Sequence, residues 1–304
     1  MVKFSIYTGG YTAFIVSYLF DTKTSSLTYV DTIPTTSNPS WLSPHLTNPN
    51  IFYAVNEVDY GSGDGEIVPT VKGGTKFDNS TSLLLTFPPP AGGVSHPHMA
   101  VEHGKEILVP DLVRCRQSLA YRQLVLPGEF GIHGFIQQPL GSGPRHMRVL
   151  NNFMYVLHET ANLLTKQAYP ILPQRHLPIP RLGQHRPHRR SFQLHLRCSG
   201  TTPLSALAVV PASYLYASNR QIAGTLDPRG DSIAIYDTDL NLVKQVFTGL
   251  GQIRGMEFGL GPVGEEYLVA LGARTAGGAD LVEVARNSSA IARTSLIMRP
   301  DGGY

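Results

Sequence analysis

The stretch Gly141–Glu159, GSGPRHMRVLNNFMYVLHE, constrains the fold of this chain more than any other. A Gly/Pro turn opens it and Arg145-His146 follows. Two short apolar runs, Met147–Leu150 and Phe153–Leu157, flank Asn151-Asn152, and Glu159 closes the stretch. Runs of period-two character around an Asn-Asn turn predict a β-hairpin. The same order of features recurs. Asn38-Pro39 leads to Ile51–Glu57, His96-Pro97 to Ile107–Asp111, Thr202-Pro203 to Tyr214–Arg220, and Gln252-Ile253-Arg254 to Tyr267–Arg274. The closing residues Glu57, Asp111, Glu159, Arg220 and Arg274 lie 54, 48, 61 and 54 positions apart. Such units bury their apolar faces only against their neighbours, so they stack into an array. A period near ~50 residues with several short strands predicts an all-β chain, a β-propeller of six or seven blades around a central channel.

A closed array favours one domain over residues 1–304, although the length alone would permit two. The 30 Gly and 23 Pro supply the turns that many short strands require. Strands are expected at Lys3–Thr8, Phe14–Phe20, Leu27–Ile33, Leu83–Phe87, Tyr214–Asn219, Asp231–Asp237, Leu240–Phe247, Arg254–Phe258, Tyr267–Leu271 and Asp280–Val284. The net charge of +3 gives no reason to expect nucleic acid as a partner. No apolar run is long enough to span a bilayer, so no membrane is expected. The N-terminal stretch lacks the apolar region of a signal peptide, and two Cys make no disulfide framework. Both point to the cytosol. Oligomeric state is not legible.

Equivalent positions of different blades converge at one end of a propeller. The converging set is His96, His98, Arg145, His146, His158, Glu159, Arg220 and Arg254. Arginine binds a carboxylate or phosphate through a planar fork of donors. Histidine titrates near neutrality and passes protons. The set therefore suits a small anionic substrate, and each member has a structural alternative. Arg145 and Glu159 can be a structural ion pair, His96 a turn cap, and Arg254 a solvated charge. Glu57 and Asp111 are expected to bond turn amides, and Trp41 to be packed in the core. The imidazoles match no zinc spacing, so no metal and no other cofactor is expected. There is no Gly-x-Ser-x-Gly elbow, and no helix is expected after the Gly-rich Gly61–Gly65 stretch.

The chain resembles the lactonase family of seven-bladed propellers, which includes 6-phosphogluconolactonases and fungal carboxy-cis,cis-muconate lactonizing enzymes. The matching text is Tyr7–Thr12 (YTGGYT), Asn38–Leu42 (NPSWL), Tyr53–Glu57 (YAVNE), His96–His98 (HPH), Val109–Leu112 (VPDL), Gly143–His146 (GPRH), His158-Glu159, Tyr214–Arg220 (YLYASNR) and Asp231–Asp237 (DSIAIYD). The resemblance implies His98 and Glu159 as the acid/base pair, with Arg145 and Arg220 as anion clamps. It implies hydrolysis of a sugar-acid lactone, with lactone-forming cyclisation of carboxy-muconate as the alternative. A propeller kept as a non-catalytic binding scaffold is a third reading.

Two windows depart from the family text. Leu112–Gly128 has no acid and carries three Arg. The segment at about 166–204 is basic and irregular, with Arg and His crowded into Gln174–Arg197. Neither reads as blade sequence. An out-of-frame or mis-spliced message would have such a composition, and so would a basic insertion loop. The second window lacks aromatic interleaving, which argues against single-strand nucleic-acid binding. A further departure is at Glu57-Val58. There the close of one hairpin runs directly into text resembling the close of the next. One period of ~50 residues is missing, and lower activity and stability than in a full-length relative are expected.

Overall fold

The structure is a computed structural model. It describes residues 2–35, 38–48, 50–57, 63–69, 83–87, 94–112, 118–126, 129–169, 194–197, 204–210, 214–220, 227–260, 267–273 and 279–280. Every regular element among them is a strand, as an all-β propeller requires.

The strands form six sheets among the described residues. The first holds β1 (Lys3–Thr8), β2 (Phe14–Asp21) and β3 (Ser26–Pro34). The second holds β4 (Pro39–Pro44), β5 (Ile51–Asn56), β6 (Gly63–Pro69) and β7 (Leu83–Phe87). The third holds β8 (Val101–His103), β9 (Glu106–Asp111), β10 (Ser118–Leu126) and β11 (Glu129–Gln138). The fourth holds β12 (Pro144–Leu150), β13 (Phe153–His158), β14 (Leu163–Ala168) and β15 (Leu194–Arg197). The fifth holds β16 (Leu204–Val210), β17 (Tyr214–Asn219), β18 (Ser232–Asp237) and β19 (Leu242–Phe247). The sixth holds β20 (Gly251–Phe258), β21 (Leu268–Ala273) and β22 (Ala279–Asp280). Strands adjacent in sequence are adjacent in each sheet, the meander of a propeller blade.

The hairpin at Asn151-Asn152 forms as its sequence predicts. Both Asn residues have positive φ, 51° and 62°, the left-handed pair that matches strand twist in a two-residue turn. Leu150 then pairs with Phe153, and β13 buries Met154 through His158. Lys3–Thr8, Leu83–Phe87 and Tyr214–Asn219 are strands with the expected bounds.

The window Leu112–Gly128 corrects the sequence reading. Ser118–Leu126 is strand β10, paired on one side with β9 and on the other with β11. Its sequence SLAYRQLVL places Leu119, Tyr121 and Val125 at alternating positions, a strand period that its basic composition had masked. In the segment at about 166–204, residues 166–168 end β14 and Leu194–Arg197 form β15. Residues 170–193 and 198–203 lie outside the described residues, as do Val58–Gly61 and residues 281–284. Across the Glu57-Val58 junction, β5 and β6 pair antiparallel from Ile51↔Pro69 to Asn56↔Asp64.

The chain divides into two compact units. One comprises Met1–Ile6, Tyr18–Tyr29 and Leu196–Tyr304; the other comprises Tyr7–Ser17 and Val30–His195. In the first, Tyr216, Ile233, Leu250, Ile253, Met256 and Phe258 belong to one buried cluster. Phe4 and Phe20 lie 5.8 and 6.0 Å from the Tyr267 ring in the same unit. In the second unit, Trp41, Tyr53, Val55, Phe87, Met99 and Ile107 form one cluster. Leu108, Met147, Met154 and Val156 form another.

Candidate functional site

Three blades in the second unit tie the end of their closing strand back to their opening turn, through the closing residue itself or the residue after it. The Glu57 N–H donates to the Asn38 carbonyl (3.0 Å), Leu112 N–H to His96 (2.9 Å), and Glu159 N–H to Gly143 (2.8 Å). The first strand of several sheets also carries a register shift at its start. The shifts fall between Pro39 and Trp41, Pro144 and His146, Leu204 and Leu207, and Gly251 and Gly255. A bulge takes a residue out of the strand ladder and re-aims its side chain. Arg145 is that residue in β12, Ser40 holds the equivalent place in β4, and Arg254 lies within the shift of β20.

Gly143 makes the approach to Arg145 possible. Its φ is +66°, and a Cβ there would lie 2.3 Å from Thr160 Oγ1 and 3.0 Å from Leu112. Both conflicts penalise any side chain. Gly143→Ala is expected to lower stability by more than about 1 kcal/mol, read as a lower midpoint in urea at unchanged slope.

The His-Pro-His segment is fastened to the end of β9. The Asp111 carboxylate, fully buried, accepts from Ser95 Oγ at 2.8 Å and from the His96 N–H at 2.7 Å. The His98 N–H donates to Pro110, and Pro97 bridges Asp111. Asp111 thus bonds a turn amide, as the sequence reading expects. Its partners hold His96 and His98 on a short, fixed segment.

Five of the sequence candidates come together here. The ring centroids of His96 and His98 are 6.4 Å apart, and those of His98 and His146 are 5.7 Å apart. Arg145 Nη1 donates to Glu159 Oε2 at 2.7 Å, an ion pair with the guanidinium buried and the carboxylate partly exposed. The structural pairing weighed from sequence is therefore formed. Two residues given only structural parts from sequence also belong to the cluster. Glu57, 7% exposed, places Oε2 3.3 Å from His98 Nε2 and Oε1 3.9 Å from His96 Nδ1. Trp41 donates from Nε1 to the Ala100 carbonyl, and its ring meets His146 edge-on at 4.5 Å. Tyr11, 50% exposed, reaches in to donate its hydroxyl to Glu57 Oε2 at 2.9 Å. The Ser40 hydroxyl is buried with no hydrogen-bond partner among the described residues.

Burial holds His98 well below the usual histidine range, helped by the positive charge of Arg145 and by His146. His146 is lowered in the same way, by burial first and then by Arg145 and Arg148. Both rings are therefore neutral at pH 7. Neither ring nitrogen of His98 makes an aligned hydrogen bond, although the side chain is almost wholly buried. A neutral imidazole beside a fixed guanidinium can accept a proton while the cation stabilises negative charge. Among the described residues no group of three or more His, Cys, Asp or Glu side chains is arranged to hold a metal ion.

The other candidates have different surroundings. His158 is fully buried with Nδ1 2.8 Å from Ser142 Oγ and Nε2 3.0 Å from Thr165 Oγ1. With both nitrogens engaged by hydroxyls, it braces the β13–β14 pair. In the other compact unit, Arg220 is buried just after β17, and Arg254 is exposed on β20. Glu57 carried one sequence signal, its place at the end of a repeat unit equivalent to Glu159.

Comparison with known proteins agrees with this architecture. No curated protein matches the chain. Among solved structures, a Lactobacillus plantarum protein superposes with a TM-score of 0.64 at 17% identity, covering 97% of this chain and 96% of that one. A Bacteroides fragilis protein provisionally assigned as a 6-phosphogluconolactonase gives 0.63 at 16% identity, covering 95% and 93%. The periplasmic gluconolactonase of Pseudomonas aeruginosa gives 0.58 at 18% identity, covering 93% and 77%. These likenesses are of fold. The family model described as lactonase, 7-bladed beta-propeller matches residues 60–296. With the repeating meander of three or four strands and a match over most of its length, this chain belongs to the lactonase family of seven-bladed β-propellers.

Proposed function

We propose that the protein hydrolyses a small anionic sugar-acid lactone of the 6-phosphogluconolactone type. One observation carries the reading beyond family membership. His98 is buried, neutral and without an aligned hydrogen bond, beside the buried cation Arg145. Opening a lactone needs a base for water and a cation for the charge on substrate and oxyanion. His98 takes a proton from water as the water oxygen bonds to the lactone carbonyl carbon. The ring C–O bond then breaks, and the imidazolium returns the proton to the leaving alkoxide. Arg145 holds the anionic group of the substrate and the oxyanion. Its present partner Glu159, partly exposed, is displaced towards solvent or takes part in the second proton transfer.

The test offers 6-phosphogluconolactone, the uncharged gluconolactone and carboxy-cis,cis-muconate to the purified protein, with spontaneous opening subtracted. Saturable hydrolysis that favours the charged lactone supports the reading. Cyclisation of the muconate without hydrolysis would replace it by the lactone-forming alternative. Turnover of none would leave a binding scaffold.

A further inference from the structure

The Glu57 carboxylate has no part in closing its own turn. Its main chain does that work: Glu57 N–H donates to Asn38 C=O, and Asn38 Nδ2 donates to Glu57 C=O at 2.9 Å. The contrast with Asp111 is direct, since there the carboxylate itself receives Ser95 and the His96 amide. Burying a carboxylate is costly unless it gains partners. Glu57 spends this burial on one tyrosine hydroxyl and two imidazoles, at 2.9, 3.3 and 3.9 Å. His98 in turn is a buried ring with no aligned hydrogen bond, a state that in a native protein needs an explanation. The charged and titratable groups facing it are Glu57 after β5, His96 on its own segment, and Arg145 and His146 on β12.

We propose that Glu57 is a positioning residue for His98: its carboxylate keeps the proton on Nε2 and leaves Nδ1 as the atom that accepts the proton of water, with Tyr11 fixing the carboxylate. The 3.3 Å contact is off the line of a hydrogen bond in the resting protein, and such contacts tighten when substrate is bound. The role rests on the lactone-hydrolysis reading above. In that reaction the Nδ1 lone pair takes the water proton and later gives it to the alkoxide. The Nε2 proton never leaves the Glu57 side, so no charge moves on to the carboxylate. This division of labour separates Glu57 from Glu159, whose carboxylate pairs with Arg145 in the resting protein. It also gives the exposed Tyr11 a task that its position outside the core does not otherwise explain.

The experiment uses the full chain, as wild type, Glu57→Gln and Tyr11→Phe, with Arg229→Ala as a surface control. Each is read by the ring nitrogen shifts of His98 in nitrogen-15 NMR and by steady-state kinetics on 6-phosphogluconolactone. Wild type is expected to show His98 as the Nε2–H tautomer. Glu57→Gln mixes or inverts the tautomers and lowers kcat about tenfold or more, with KM within about twofold. The larger fall known for triad carboxylates is the upper reference. Tyr11→Phe shifts both readouts in the same direction by less. An unchanged tautomer in Glu57→Gln, or a changed tautomer with unchanged kcat, overturns the proposal. If wild type hydrolyses no lactone, the functional reading fails, and the tautomer of Glu57→Gln still decides whether Glu57 orients His98. If Glu57→Gln melts early, Tyr11→Phe, which removes the hydrogen bond to the carboxylate oxygen facing His98 and leaves the carboxylate in place, carries the decision.

Discussion

His98→Ala is expected to lower kcat by about a hundred- to ten-thousandfold, with a much smaller change in KM. The imidazole is buried and neutral, and neither of its ring nitrogens makes an aligned hydrogen bond. Removing it takes away proton transfer and leaves Arg145 and Glu159 in place. Burial and the neighbouring cation hold His98 well below its ordinary range, so it remains a base in weakly acidic solution. The rate of the wild type should therefore stay level from neutrality down past the usual histidine midpoint of about 6.5 and fall only below it. Steady-state kinetics of both forms across that range check the size and the sign. A variant with wild-type kcat would remove His98 from the reaction.

Arg145→Ala is expected to act mainly on binding. Truncating a buried, hydrogen-bonded charge costs about 2–5 kcal/mol, so KM for an anionic lactone should rise by roughly thirty- to several-thousandfold. The affinity for an uncharged lactone should change far less. A second consequence follows from the histidines. Arg145 contributes to lowering both His98 and His146, so its loss lets both rise towards 6.5. The acidic limb of the rate profile then moves to higher pH. The stability profile moves in the related sense. With folded values lowered, the unfolded chain binds more protons below about 6.5, and wild-type stability falls as pH drops through that region. In Arg145→Ala that acid-linked loss begins at the same pH but is smaller. Titration calorimetry with charged and uncharged lactones, and melting curves from pH 7 to 5, measure both.

The hairpins were legible because local chemistry decides them. Asn151-Asn152 supplies two left-handed residues, and this two-residue turn sets the register of the apolar runs on either side, in which Met154 through His158 are buried. Blade spacing was legible because each unit repeats its opening turn and closing residue. Strand β10 was not, since three Arg and the lack of acids outweighed a weak period-two pattern. The gathering of His96, His98, Arg145 and Glu159 followed from equivalence between blades. The part of Glu57 did not, for a specific reason. Equivalent acids end β9 and follow β5, and what each carboxylate does depends on the opener. Where Ser95 and the His96 amide open the unit, the acid Asp111 is drawn into the turn. Where Asn38 opens it, the asparagine amide closes the turn and Glu57 is released towards the imidazoles. His158 was misleading in the opposite way. It sits beside Glu159 in sequence, yet strand alternation turns it between Ser142 and Thr165.

The proposed hydrolysis of an anionic lactone depends on His98 as its base. It is tested most directly by pH-stat initial rates on 6-phosphogluconolactone near pH 6.5, wild type beside His98→Ala, with spontaneous opening subtracted. The predicted result is a saturable wild-type rate that His98→Ala loses while still melting cooperatively as a folded protein. Equal rates in the two proteins, or a wild-type rate no greater than spontaneous opening, would contradict it.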